Sequence, residues 1–361
     1  MLDYNANVLL IYTGGTIGMI EDSVSGTLKP FNFNYLKEYV PELTRLKFNI
    51  DHIAFECPID SSDMGPDHWE KIVRIIEEHY TKYDGFVILQ GTDTMAYSAS
   101  ILSFMLENLT KPVILTGSQL PIGKMRTDGK ENLITALEIA VDKDSDGNAI
   151  VPEVCIFFQN LLMRGNRTTK INADNFSAFN SFNYPILAVA GTHIKYDHHL
   201  IHHPVENTKP QFHYCLNPNV TILKIFPGIS ENCVKAVFTN PHLKGVVFET
   251  FGAGNSPTHS SFLSIFEEAI KKGIVIVNVS QCASGTVEQD RYQGGKALKN
   301  IGVLSGYDIT TEAAVTKLMF LFGQGFTPEE VKKRMLLSIA GEFGVDDGTR
   351  THDHRNHNPM L

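Results

Sequence analysis

The sequence predicts an α/β protein of two α/β domains: a larger N-terminal one, with a mainly parallel sheet flanked by helices, and a smaller C-terminal one. Three observations predict it. Short apolar runs alternate with helical patterns through the first half, the signature of parallel βαβ units. A polar run rich in His, Pro and Asn at 196–219 interrupts the alternation and reads as an inter-domain linker, with a second α/β pattern beyond it. A length of 361 residues suits two domains better than one.

Each element follows in order. VLLIY (8–12) reads as a strand that ends in the glycine turn TGGTIG. PDHWEKIVRIIEEHY (66–80) reads as a helix with Asp67 as its N-cap and Trp69, Ile72, Val73 and Ile76 as its apolar stripe. GFVILQ (85–90) is a buried-strand run, followed by GTDT and a helix through 106. VILTG (113–117) is a strand, 132–141 a helix, and VCIFF (154–158) a further strand. The N-terminal domain is thus expected over 1–195 and the C-terminal domain over 220–345. In the latter, VTILKI, GVVFET and IVIVNVS read as strands, with helices near 230–238 and 262–271. Two helical patterns, 312–322 and 328–340, close the fold, and the tail 346–361 has too little apolar content to pack.

Composition narrows the function classes. Hydrophobic residues at 43% and charged residues at 20% are ordinary for a globular chain with substantial cores. A formal net charge of −9 argues against a nucleic-acid partner. The five cysteines are scattered and form no CxxC pair, which argues against a disulfide framework or a zinc site and favours a reduced compartment. The N-terminus lacks a basic segment and its apolar run is too short for a signal peptide. No stretch approaches the roughly 18 apolar residues of a membrane span, so the expected location is cytoplasmic, away from membranes. His198, His199, His202 and His203 have i, i+4 spacing that would chelate a metal on a helix. They precede Pro204 inside the linker, however, and read as a solvated loop, as do His352, His354 and His357 in the tail.

Four short segments carry chemistry. In Thr13-Gly14-Gly15-Thr16-Ile17-Gly18 the glycines permit tight turning, but the Lys of a phosphate loop is absent and the dinucleotide pattern is not met. Gln90-Gly91-Thr92-Asp93-Thr94 places a hydroxyl and a carboxylate directly after another strand. A Thr or Asp before a helix is often only a cap. Two Thr-bearing turns at two strand ends are a stronger signal, because parallel topology can bring them together. Asp60-Ser61-Ser62-Asp63 is a hydroxyl-rich turn, and Arg164 to Lys170 clusters cations around two threonines. A Lys beside a Thr hydroxyl can relay its proton if burial lowers the Lys pKa.

These segments also carry a resemblance. TGGTIGM, DSSDM, YDGFVILQGTDTMAYSASILSFMLENL, TGSQ and RGNRTTK, continued by FPGIS, FGAGN and SQCASG, resemble the L-asparaginase/glutaminase family, above all its bacterial cytoplasmic (type I) branch. The resemblance covers nearly the whole chain apart from the linker details and the tail. It implies hydrolysis of L-asparagine, a small-molecule substrate, through a threonine-bound aspartyl ester, without metal or cofactor. Thr16 matches the nucleophile, and Thr92, Asp93 and Lys170 match a second catalytic group. Ser61 matches the serine that holds the substrate α-carboxylate, with Asp60 and Ser62 beside it, and Asp93 faces the α-amino group. Asn255 resembles an Asn contributed across a subunit interface, which implies a homo-oligomer, a dimer or tetramer. The sequence departs from the family at three places. Residues 25–30 hold no Tyr where many members have one on a loop, and Glu288 does not align with the Glu of the secreted type. Glu249 replaces the Arg that some members use, together with the threonine matched by Thr169, to bind regulatory asparagine. Such regulation is therefore expected to be weak or absent.

Overall fold

The computed structural model describes residues 6–21, 28–30, 38, 40–204 and 208–344. The tail at 346–361 and residues 25–27 of the Tyr-less loop lie outside them. Strand β1 (Asn7–Gly14) is buried along nearly all its length, as an apolar run must be when helices cover both faces of a parallel sheet. The next strands are β2 (Asn49–Ile59), β3 (Gly85–Leu89), β4 (Val113–Thr116) and β5 (Val154–Phe158). They pair in the order β2-β1-β3-β4-β5, all parallel. Beyond them β6 (Leu161–Arg164) runs antiparallel to β5. A short ribbon of β7 (Thr169–Lys170) and β8 (Phe179–Asn180) stands apart. Strands β9 (Ala188–Ala190) and β10 (Ile194–Tyr196) complete the sheet, both antiparallel. The parallel expectation thus holds for five strands and gives way to antiparallel pairing after β5. Strand β2 was not foreseen. It lies at the sheet edge and buries little beyond Phe55, so its sequence shows no clean alternation.

The first helix, α1 (Pro66–His79), buries the expected stripe of Trp69, Ile72, Val73 and Ile76. Its N-cap is Gly65 and not Asp67. Pro66 takes the first helical position, where a missing N–H is harmless, and Asp67 falls in the first turn, where the helix dipole favours a carboxylate. Helix α2 (Met95–Met105) is buried on almost every side, and α3 (Gly129–Val141) covers the opposite sheet face.

In the second domain β11 (Val220–Lys224), β12 (Gly245–Thr250), β13 (Val275–Ser280) and β14 (Leu304–Ser305) form a wholly parallel sheet. Its helices are α4 (Glu231–Val237), α5 (Ser260–Lys271), α6 (Gln293–Asn300), α7 (Thr311–Gly323) and α8 (Pro328–Met335). The last helix stops five residues short of the expected 340. Lys317, wholly buried, donates to the carbonyls of Met335 and Leu337 and meets Glu342 at 2.6 Å, while Glu342 accepts the N–H groups of Ile339 and Ala340. These bonds hold the chain out of the helical path.

The segment 196–219 carries no helix through its histidines, and Gln211–Phe212 pairs antiparallel with Leu106–Glu107 of the first domain. The domains share one apolar core, in which α2 packs along α7 and Phe104 stacks on Phe320. Arg167, 1% exposed, bridges them through Asp308 at 2.6 Å and the carbonyl of Glu342.

Candidate active site

In the order β2-β1-β3 the connection after β1 steps one way across the sheet and the strands from β3 onward lie the other way, so a switch point falls between β1 and β3. In open parallel sheets that switch point, at the carboxyl ends of the strands, leaves a crevice. Thr16 follows β1 and Thr92 follows β3, so both fall on its rim. Glycines let the surrounding turns close on one another. Gly14 and Gly15 adopt φ of 142° and 90°. A Cβ on Gly14 would lie 2.1 Å from the Ile59 carbonyl, and one on Gly15 would lie 2.3 Å from the Gly91 nitrogen. A Cβ on Gly91 would in turn meet Ser61 Oγ at 2.7 Å. Three turns that are distant in sequence are therefore pressed together. Thr16 and Thr92 each stand one residue beyond the Gly15–Gly91 contact.

Thr16 opens a short 3-10 turn, Thr16–Gly18, and is half-buried. Its hydroxyl has no hydrogen-bond partner among the described residues. Tyr12 braces the turn by donating to the Gly18 carbonyl at 3.3 Å. Burial pushes its phenol up to about 12, so it keeps its proton at neutral pH.

Thr92, Asp93 and Lys170, far apart in sequence, are brought together. Lys170 Nζ donates to Thr92 Oγ1 at 2.8 Å and to Asp93 Oδ1 at 2.6 Å. Thr92 is largely buried, whereas the Asp93 side chain is open to the crevice. Thr92 Oγ1 also donates to Gln119 Oε1 at 3.3 Å. The Gln119 amide donates in turn to the carbonyls of Ala173 and Asn175, on the loop that follows Lys170. Gln119 was not singled out from the sequence. The only signal was its place in TGSQ, and nothing local reveals that it meets Thr92.

Ser61 is buried, and its carbonyl accepts from Thr94 Oγ1 at 2.6 Å, which ties the DSSD turn to the GTDT turn. Asp60 Oδ1 accepts from the N–H of Ser62 at 2.9 Å and from its hydroxyl at 2.8 Å, and these bonds hold the carboxyl below its usual range. Asp60 and Ser62 are both exposed and bonded to each other, so both act in shaping the turn. Asn255 lies in the second domain, in the turn after β12. Its N–H donates to the Phe251 carbonyl at 2.8 Å and its side chain packs near Gly294. The single chain does not place it in the Lys170 cluster.

Beside Lys170 a cavity of about 410 Å³ is lined by Thr169, Glu249, Tyr307, Thr311 and Glu312, among others. Glu249 accepts from Thr311 Oγ1 at 2.7 Å and meets Lys224 at 3.1 Å. Glu312, another residue the sequence did not flag, accepts from the Thr169 hydroxyl. Among the described residues no cluster of His, Cys, Asp or Glu is arranged to hold a metal ion, and no helix is long and apolar enough to cross a membrane.

Comparison with known proteins bears on this arrangement. The family description "Asparaginase, N-terminal" matches residues 7–202, and "Glutaminase/Asparaginase C-terminal domain" matches 219–335. The chain is 42% identical to L-asparaginase 1 of Escherichia coli K12, over 94% of this chain and 99% of that one. It is also 42% identical to the 60 kDa lysophospholipase of Mus musculus over 93% of its length, and spans 62% of that larger protein. The crystal structure of L-asparaginase I from Vibrio cholerae superposes with a TM-score of 0.85 at 38% identity, covering 94% of this chain and 100% of that one.

Proposed function

This chain belongs to the asparaginase family, and we propose that it hydrolyses L-asparagine to L-aspartate and ammonia through an aspartyl ester on Thr16. The observation that carries this reading is the contact of Lys170 with Thr92 and Asp93 at the β1/β3 switch point, one residue beyond the turn that meets Thr16.

An amide is a poor electrophile, so two easier steps replace one difficult one. Thr16 Oγ1 attacks the side-chain carbonyl carbon, and its proton passes to the departing nitrogen, which leaves as ammonia. Water then adds to the ester carbon, and one of its protons returns to Thr16. Thr92 and Lys170 move protons in both steps: a hydroxyl bonded to a lysine nitrogen is a short relay. Backbone N–H groups of the GTDT turn stabilise the oxyanion. Ser61 and its turn hold the substrate α-carboxylate, and Asp93 faces the α-amino group. Asn255 of a neighbouring copy completes the pocket, so the working unit is a homo-oligomer, in keeping with the cytoplasmic type I branch.

Ammonia release by the purified protein tests the activity. A steady-state comparison of asparagine with glutamine reads the acyl-chain preference, since one methylene is worth only about 1–3 kcal/mol of discrimination. Mass spectrometry of acid-quenched protein should find the aspartyl adduct on Thr16. No ammonia from asparagine would refute the activity, and an adduct on Thr92 that survives Thr16→Ala would refute the mechanism.

A further inference from the structure

We infer that Glu312 is a positioning residue, which fixes the Lys170 ammonium on Thr92 by holding the adjacent Thr169 from the opposite face of the β7 ribbon. The inference deepens the proposed function and rests on that reading for its kinetic consequences.

Lys170 stands on a two-residue strand that pairs only with β8, Thr169 with Asn180 and Lys170 with Phe179. So short a ribbon has few ladder bonds to set its roll. Successive strand side chains point to opposite faces. Lys170 reaches toward the start of α2, where Thr92 and Asp93 stand, while Thr169 turns toward α7. There its hydroxyl donates to Glu312, in the first turn of α7. A hydroxyl–carboxylate bond is charge-assisted and about twice as strong as a neutral one.

The acceptor is itself well fixed. Thr310 caps α7 by accepting the Ala313 N–H at 3.1 Å, and α7 packs along α2 in the shared core. The base of Lys170 is thereby registered to α7, and its head to the start of α2. Two packed helices set the ends of one flexible side chain, which otherwise samples many rotamers. A displacement of about 1 Å at a reacting group can lower turnover by roughly 10²-fold.

The test compares Glu312→Ala, Glu312→Gln, Thr169→Val and the Glu312→Ala/Thr169→Val pair, with kcat and KM for asparagine and the thermal midpoint measured for each. Glu312→Ala should lower kcat by about 10- to 100-fold while KM stays near the wild-type value. Glu312→Gln keeps an oxygen that can accept from Thr169, and should recover most of the lost kcat. Thr169→Val should match Glu312→Ala, and the double variant should be no worse than either, as two ends of one bond require. A crystal structure of Thr169→Val reads the same placement without substrate and serves if Glu312→Ala fails to fold. Its Lys170–Thr92 contact should lengthen beyond hydrogen-bond reach. Unchanged kcat in Thr169→Val, additive losses, or a Gln variant as poor as Ala would overturn the inference. So would a Lys170–Thr92 contact still at 2.8 Å in that crystal. That structural outcome stands whatever the substrate proves to be, whereas wild-type protein inert on asparagine would refute the activity alone.

Discussion

The two domains are built on the same plan, parallel strands ending in polar turns, yet those turns use their polar groups differently. In the second domain they are used on one another. Thr250 Oγ1 donates to Asn278 Oδ1 at 2.6 Å, Asn278 donates to the Gly254 carbonyl at 3.0 Å, and Ser280 Oγ donates to the Gly252 carbonyl at 2.7 Å. Those groups brace the turn that carries Asn255. In the first domain the Thr16 hydroxyl has no partner among the described residues, and the Asp93 side chain stays largely exposed. Thr92 at the same rim is bonded to Lys170 and Gln119, so what sets the first domain apart is the open Thr16 hydroxyl and Asp93 carboxylate beside it.

Substitutions can break that comparison, the largest effect first. Thr16→Ala should lower ammonia release by about 10³-fold or more, as loss of a nucleophile does, with the thermal midpoint nearly unchanged. Comparable activity in the variant would remove Thr16 from the mechanism. Lys317→Met lies outside both strand ends and tests the fold alone. It leaves the wholly buried Glu342 without its cation, and denaturant melts should show a loss of about 3–5 kcal/mol. Thr250→Val should lose about 1–3 kcal/mol, because it strands the buried Asn278 carbonyl oxygen. Its kcat should hold, whereas Thr92→Val strands only the half-buried Gln119 and Lys170, which water can reach, and should lose less stability and reduce turnover by about 10²-fold or more. If both variants behaved alike, the contrast between the two strand ends would fail.

Two smaller effects sharpen the contrast. Burial raises the Glu312 carboxyl above its usual range, with Glu249 adding to the rise and the Thr169 and Thr310 hydroxyls opposing it. The folded state therefore binds a proton more tightly than the unfolded state. The carboxyl's contribution to stability is therefore fully present below the ordinary carboxylate range and is lost as pH rises from about 4.3 through the raised value. Glu312→Gln should flatten that fall in melts taken across the interval. Finally, Glu249 presents a carboxylate to the cavity beside Lys170, already bonded to Thr311 and Lys224. Asparagine saturation should therefore be hyperbolic. Sigmoidal curves abolished by changing Thr169 would show that a substrate carboxylate is welcome there after all.

The sequence by itself determined the α/β alternation, because apolar runs such as VLLIY, GFVIL and VCIFF must be buried on both faces. It also marked the threonine-bearing turns, because tight turns need glycine and leave their signature in a few adjacent letters. Tertiary structure decided what depends on partners far along the chain. Edge strand β2 shows no alternation because one side of it lacks a neighbour. Helix α8 ends at Met335 because Lys317 and Glu342 claim the next backbone groups. Lys170 meets Thr92 across 78 residues, Gln119 joins Thr92, and Glu312 holds the neighbouring Thr169. No local pattern encodes such contacts. They exist only once packing has placed the crevice rim, the β7 ribbon and the start of α7 within a hydrogen bond of one another.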